Sequence, residues 1–169
     1  MTLAEINDLD LDGFTATLGP VFERSPWVAA ALWQYRPFAR VSDMGGAIDA
    51  VLRRADTDAQ LALIRAHPDL AGKAARANEL TRESAQEQAS AGLDRLSDEE
   101  FARFHRLNTA YREKFAFPFI ICVRRHDKAS ILAEFERRLA RDADTERRQA
   151  LSEIAKIARL RLADLLEAA

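Results

Sequence analysis

His67 stands directly before Pro68 in the run Ala66-His67-Pro68-Asp69-Leu70-Ala71-Gly72-Lys73, and it is one of only three histidines in the chain. Imidazole changes charge near neutral pH, so an imidazole fixed at a forced turn is equipped for general acid–base work. Ser84, Glu87 and Gln88 follow at i, i+3 and i+4. That spacing stacks a hydroxyl, a carboxylate and an amide on one helix face. Phe119, Ile120, Ile121, Cys122 and Val123 lie in the most apolar run of the chain, Lys114 to Arg124. Arg161 falls on the apolar stripe of the last helix, three residues after Ala158. A proton-transfer group, an amide-reading face, backbone donors and acceptors, and a cation form a usable set. They suit cofactor-free proton chemistry on a small, polar, anionic molecule.

Each group also has a plainer structural use. His67 continues the stripe Leu61, Ile64, His67 and fits a packed or capping histidine bonded to a carbonyl. The Ser84/Glu87/Gln88 face fits a wet helix surface. The apolar run has no second strand candidate to pair with, which leaves backbone groups that something must satisfy. It reads either as an extended segment open to a bound amide or as a buried helix starting after Pro118. Arg161 needs an anion if its head is buried, or it packs its stem and sends the head to water. Other chemistries are excluded. The chain has no Gly-rich phosphate loop, no dinucleotide fingerprint and no nucleophile elbow. Its histidines and single cysteine lack metal-ligand spacing.

Helices must position these residues. Thr2 with Glu5 makes a capping box for a short helix to about Leu9. Asp12 is expected to cap a second, holding Phe14 and Leu18 and ending at Gly19-Pro20. Ser25-Pro26 reads as N-cap and first helical residue of a helix from Trp27 to about Tyr35, with Trp27 and Trp33 as packing anchors. A helix is expected over 47–55, and Asp56 or Thr57 caps the next, which ends at His67 because Pro68 disfavours helical geometry there. Leu70 to Glu79 reads as a partly helical connector. Thr81 opens the helix carrying Ser84, and Gly92 stops it. Ser97 with Glu100 is a second capping box, heading an amphipathic helix with Phe101, Phe104, His105, Asn108 and Tyr111. Asp127 caps a helix to about Arg141. The last runs from about Thr145 to Leu166 on Leu151, Ile154, Ala158, Leu162 and Leu165. The expected architecture is all-α, a single-domain helical bundle over residues 1–169 with about eight helices and no sheet.

Composition narrows the class further. With 169 residues and 48% hydrophobic content, the chain is long enough for one domain with a real core. Lys+Arg 25 against Asp+Glu 27 gives a formal charge of −2. No basic excess points to nucleic acid. No apolar run approaches the roughly 20 residues of a membrane span, and the N-terminus lacks the pattern of a signal peptide. The single Cys122 fits a reducing compartment. A cytoplasmic protein is expected, with neither a nucleic acid nor a membrane as partner.

Four stretches carry a family resemblance. They are Val21-Phe22-Glu23-Arg24-Ser25-Pro26-Trp27-Val28-Ala29, His67 to Gly72, Ser84-Ala85-Gln86-Glu87-Gln88-Ala89-Ser90-Ala91-Gly92-Leu93, and Lys114-Phe115-Ala116-Phe117-Pro118-Phe119-Ile120. In order and together they resemble the OHCU decarboxylases of urate degradation, where OHCU is 2-oxo-4-hydroxy-4-carboxy-5-ureidoimidazoline. The resemblance implies an all-α homodimer that acts on a small ureide with no metal or organic cofactor. It implies catalytic roles for His67 and Glu87, and substrate contacts for Pro68, Ser84, Gln88, the backbone of Phe119, Ile120, Ile121, Cys122 and Val123, and Arg161. The chain departs from the family at Ala116 and at Arg125-His126, where glycine is usual, and at Cys122, where another small residue is more usual.

Overall fold

The computed structural model describes residues 1–72, 77 and 79–167. The described residues form nine α-helices and three single-turn 3-10 segments, with no strand. Half of the connector expected over 70–79 (residues 73–76 and 78) falls outside the described residues. Contacts sort the chain into two compact units, one of Met1–Ala66 with Ala155–Ala169 and one of His67–Ile154.

The first unit holds α1 (Leu3–Asp8), α2 (Leu11–Leu18), α3 (Pro26–Leu32), α4 (Val41–Arg54) and α5 (Thr57–Ala66). The first capping box forms as expected, with the Glu5 amide donating to Thr2 Oγ1 at 3.2 Å and the Thr2 amide to Glu5 Oε2 at 2.7 Å. The second helix starts earlier than expected. Asp10, not Asp12, is its N-cap, accepting from the Gly13 amide at 2.8 Å. Ser25 does occupy the N-cap of α3 with Pro26 behind it, but its hydroxyl makes no capping bond. Trp27 is not a packing anchor, because it is among the exposed large side chains at 36%. Trp33 instead carries the Arg36 guanidinium 4.1 Å above its ring.

Helix α4 starts at Val41 and runs straight through Gly45-Gly46, whereas the sequence places its start at Ala47. Two interactions explain this. The Asp43 carboxylate accepts from the Arg40 amide at 3.0 Å and closes the first turn. Arg159 lies across Gly45, donating to its carbonyl at 3.1 Å and to Asp49 at 2.5 Å. A Cβ on Gly45 would come within 2.9 Å of Arg159 Nε. The helix then buries Met44, Ile48, Val51 and Leu52 on one stripe, which offsets the roughly 1 kcal/mol per glycine lost in propensity.

The second unit holds α6 (Arg82–Ser90), α7 (Asp98–Phe115), α8 (Lys128–Leu139) and the N-terminal part of α9 (Ala143–Glu167). Helix α7 buries Phe104, Asn108, Tyr111 and Phe115. The Tyr111 ring sits at the centre of an aromatic cluster, 4.5 Å from Phe115, 5.4 Å from Phe119 and 5.8 Å from Phe135. Phe119 and Phe135 stack at 3.8 Å. The run after Pro118 is neither strand nor helix. It is a buried irregular segment ending in the 3-10 turn Val123–Arg125.

At two positions where the resemblance leads to an expectation of glycine, Ala116 and His126, the backbone can be read directly. His126 is extended at φ −137°, so a glycine there has no conformational advantage. Ala116 ends α7 at φ 59°, ψ 23°, in the left-handed region. A Cβ in that region costs about 1–2 kcal/mol, partly offset by the lower chain entropy of alanine when unfolded. Ala116→Gly is therefore expected to stabilise the protein by about 0.5–1 kcal/mol. It should raise the urea midpoint with the slope unchanged, whereas an unchanged midpoint would show that no strain is stored there.

Candidate active site

Pro68 ends α5 and hands the chain to a turn, residues 67–72, that three side chains hold from different directions. Gln88 accepts from the Ala71 amide at 2.9 Å and donates to the Asp69 carbonyl at 3.4 Å. Asn108 donates to the Leu70 carbonyl at 2.8 Å. Arg112 Nε reaches both carboxylate oxygens of Asp69, at 2.8 and 3.1 Å. The turn is tight enough to hold Ala71 at φ 49°. Gly72 leaves no room for a side chain, since a Cβ there would lie 2.9 Å from Asp69 Cβ. His67 itself is buried at 7% exposure, and Pro68 is half-buried.

Helix α6 is inverted. It buries Ser84 and Gln88, half-buries Glu87, and exposes Ala85, Gln86 and Ala89. The wet-face reading of this segment is therefore wrong for Ser84 and Gln88. Burying polar groups while exposing alanines costs free energy unless those groups are bonded. The Gln88 amide is bonded, to the turn that carries His67. Helix α6 also packs against the 3-10 turn Val123–Arg125. The second unit thus gathers the His67 turn, the Ser84/Glu87/Gln88 face and the end of the Phe119–Val123 run.

Phe119 to Val123 are all buried. The sequence leaves open what satisfies the backbone of this run, and two buried ions supply part of the answer. Arg138 Nη1 donates to the Ile120 carbonyl at 2.7 Å, and its guanidinium lies 4.4 Å over the Phe119 ring. The Cys122 amide donates to Glu153 Oε2 at 2.9 Å. Glu153 is steadied by Gln149 at 2.9 Å. Arg138 is paired with the buried Glu146 at 2.9 Å, and Tyr111 donates its hydroxyl to the same carboxylate. Asn108, Arg112, Arg138, Glu146 and Glu153 are absent from the sequence-derived site. A signal existed for three of them. Arg138 lies three residues after the buried Phe135, and Glu146 and Glu153 share the buried face of α9 with Ala150 and Ile154.

Tyr111 shows the electrostatic cost of this arrangement. Burial pushes its hydroxyl well above the usual tyrosine range, and the bond to the Glu146 carboxylate adds to the rise. A tyrosine whose folded pKa is raised contributes stability that is present below the unfolded value of about 10 and lost as pH rises beyond it. Urea midpoints of the wild-type protein are expected to fall above pH ~10. Tyr111→Phe should show a shallower alkaline decline, and an identical decline would exclude Tyr111 as its source.

Arg161 belongs to the other unit. It is buried, and its anion is Glu23, at 3.3 Å, with the Val21 carbonyl also at 3.3 Å. Both residues lie in the first of the four family-like stretches. Among the described residues, no group of three or more His, Cys, Asp or Glu is placed to hold a metal ion. No helix among them is long and apolar enough to cross a membrane.

Fold and site together define an all-α protein with a clamped histidine turn beside a polar, inverted helix. The family model of OHCU decarboxylases matches residues 7–163. The chain is 41% identical over 167 residues to the 2-oxo-4-hydroxy-4-carboxy-5-ureidoimidazoline decarboxylase of Amia calva, covering 99% of this chain and 95% of that one. It is 43% identical to the Haloferax volcanii protein of that name, covering 97% and 95%, and 39% identical to the Mus musculus one, covering 99% and 94%. A crystal structure of an (S)-allantoin synthase superposes with a TM-score of 0.77 at 29% identity, over 98% of this chain and 54% of that one. A crystal structure of an OHCU decarboxylase in the presence of (S)-allantoin shares the fold, with a TM-score of 0.72 at 23% identity, over 89% of this chain and 98% of that one. The chain belongs to the OHCU decarboxylase family.

Proposed function

We propose that the chain decarboxylates OHCU to (S)-allantoin, with His67 as the acid–base group and Glu87 orienting the substrate. The substrate carbon that loses carbon dioxide carries a hydroxyl and sits beside a ring C=N. The electron pair left by the broken C–C bond moves into a new C=C bond, and the imine nitrogen takes a proton. The substrate thus supplies its own electron sink, and no organic cofactor is needed to hold the charge. The hydroxyl then becomes a carbonyl as a proton is added to the former imine carbon. Delivery of that proton to one face makes one enantiomer.

The observation that supports His67 in this role is the clamp on its turn. Gln88, Asn108 and Arg112 hold four points of residues 69–71, so the imidazole is presented from a fixed backbone. Fixed geometry is what converts an acid–base group into a stereoselective one. Glu87 lies one residue before the clamping Gln88 on the same helix. Its carboxylate is assigned to the substrate hydroxyl or a ring N–H. Pro68 and Ser84, with the Phe119–Val123 backbone, complete the contacts proposed on this unit. Arg161 is assigned to substrate binding or orientation rather than to the bond-breaking step, because a tight grip on the departing carboxylate would stabilise the ground state and oppose its loss. A homodimer and a cytoplasmic location belong to the same reading.

The test is stereochemical. OHCU made fresh from urate decays slowly to racemic allantoin without enzyme. Added wild-type protein should speed its loss and produce a circular-dichroism signal of one sign. Protein that leaves both the rate and the racemic outcome unchanged would end this reading.

A further inference from the structure

Two ions of opposite sign grip two successive peptide groups in the buried run. Arg138 holds the Ile120 carbonyl at 2.7 Å, and Glu153 holds the Cys122 amide at 2.9 Å. Both peptide bonds are trans, Arg36-Pro37 being the one cis bond among the described residues. In a trans peptide the C=O and N–H point in opposite directions. Fixing the Ile120 carbonyl on Arg138 therefore turns the Ile121 N–H away from Arg138. Fixing the Cys122 amide on Glu153 likewise turns the Ile121 C=O away from Glu153.

We infer that Arg138 and Glu153 are positioning residues that set the two peptide planes flanking Ile121, so that its N–H and C=O form the donor–acceptor pair that reads the ureido arm of the substrate. A ureido group presents N–H donors beside a carbonyl acceptor, the complement of one residue's backbone pair. The inference rests on the reaction assigned above and names the part of the ligand this segment recognises. Both grips are charge-assisted and buried, which makes them shorter and stronger than neutral bonds. Neither ion is free to swing. Arg138 is tied to Glu146 at 2.9 Å and lies over the Phe119 ring, and Glu153 is tied to Gln149. Neither is assigned a touch on the substrate.

The experiment compares the wild-type protein with Glu153→Leu and Glu153→Gln. Leucine removes the acceptor for the Cys122 amide. Glutamine loses the charge but keeps an acceptor oxygen. The readout is the preference for allantoin over hydantoin, which lacks the ureido arm, measured as the ratio of their inhibition constants. Glu153→Leu should lose about tenfold of that preference, the size of one hydrogen bond. It should raise KM for OHCU more than it lowers kcat. Glu153→Gln should stay within about threefold of wild type, since an acceptor remains. Should the leucine variant fail to fold, Glu153→Asp retracts the carboxylate by one methylene and should show a partial loss of preference. An unchanged preference in the folded variants, an equal loss for both ligands, or a glutamine variant as impaired as leucine overturns the inference. The wild-type stereochemical assay runs alongside. Inactive wild type defeats the assigned reaction, whereas active wild type with unaffected variants defeats only the positioning role.

Discussion

His67→Ala is expected to lower kcat/KM for OHCU by about 10²- to 10⁴-fold, the usual contribution of a positioned acid–base group. The remaining turnover should lose its handedness. Allantoin formed in the presence of the variant should be racemic, because the spontaneous reaction then supplies the product. The effect should be chemical rather than structural. The turn bearing His67 is held at Asp69, Leu70 and Ala71 by Gln88, Asn108 and Arg112, and none of these bonds passes through the imidazole. Far-ultraviolet circular dichroism and the urea slope should match wild type, with some loss of midpoint from truncating a buried side chain. His67→Asn separates the two causes further, since it restores polar bulk but cannot carry a proton at neutral pH. It should be as inactive as alanine and more stable. Retained enantioselectivity in either folded variant would remove His67 from the proton-transfer step.

How far such a site can be read from sequence depends on which interactions are local. The helix caps at Thr2, Ser97 and Asp127 are contacts over three residues, and each forms in the structure. The break at His67-Pro68 is local as well. A few misses are local too, such as the cap at Asp10 rather than Asp12, but the larger ones are long-range. Nothing near Gly45 announces that Arg159 lies across it, so the continuity of α4 through Gly45-Gly46 is hidden in the sequence. On spacing alone the Ser84/Glu87/Gln88 face looks wet. Its burial becomes apparent only when the partner of Gln88, the turn at residues 69–71, is known. That the backbone after Pro118 needs partners is visible in the sequence, but what supplies them is not. Arg138 and Glu153 lie far along the chain, and each sits on a helix stripe where a charged residue signals a buried partner. The same reasoning that singles out Arg161 applies to them. For Arg161 the partner Glu23 lies 138 positions away, a distance at which only family likeness or coordinates can pair two side chains.

Glu146→Gln is expected to destabilise the fold far more than the loss of the His67 imidazole does. Arg138 and Glu146 are 1% and 0% exposed, and their pair at 2.9 Å is shut off from water. A buried ion pair is weak evidence of net stability, because desolvation consumes most of the Coulomb gain. Removing one partner is a different matter, since it leaves the other charge buried and uncompensated at a cost of about 3–5 kcal/mol. That is a large part of the roughly 5–15 kcal/mol that holds a domain together. Here the stranded guanidinium could not reach water without abandoning the Ile120 carbonyl and the Phe119 ring. The Tyr111 hydroxyl would lose its carboxylate acceptor in the same step. Arg141, which approaches Glu146 at 3.3 Å and is only partly buried, should lose little. A urea titration of Glu146→Gln should show a lower midpoint with the slope retained. Arg138→Met combined with Glu146→Leu removes both charges at similar volume. That double variant should recover most of the lost stability, as replacements of buried ion pairs by packed apolar groups do. It should not recover activity, because the Ile120 peptide would no longer be held. Recovery of stability and activity together would mean that the pair serves packing alone, and that the backbone at Ile121 keeps its orientation without it.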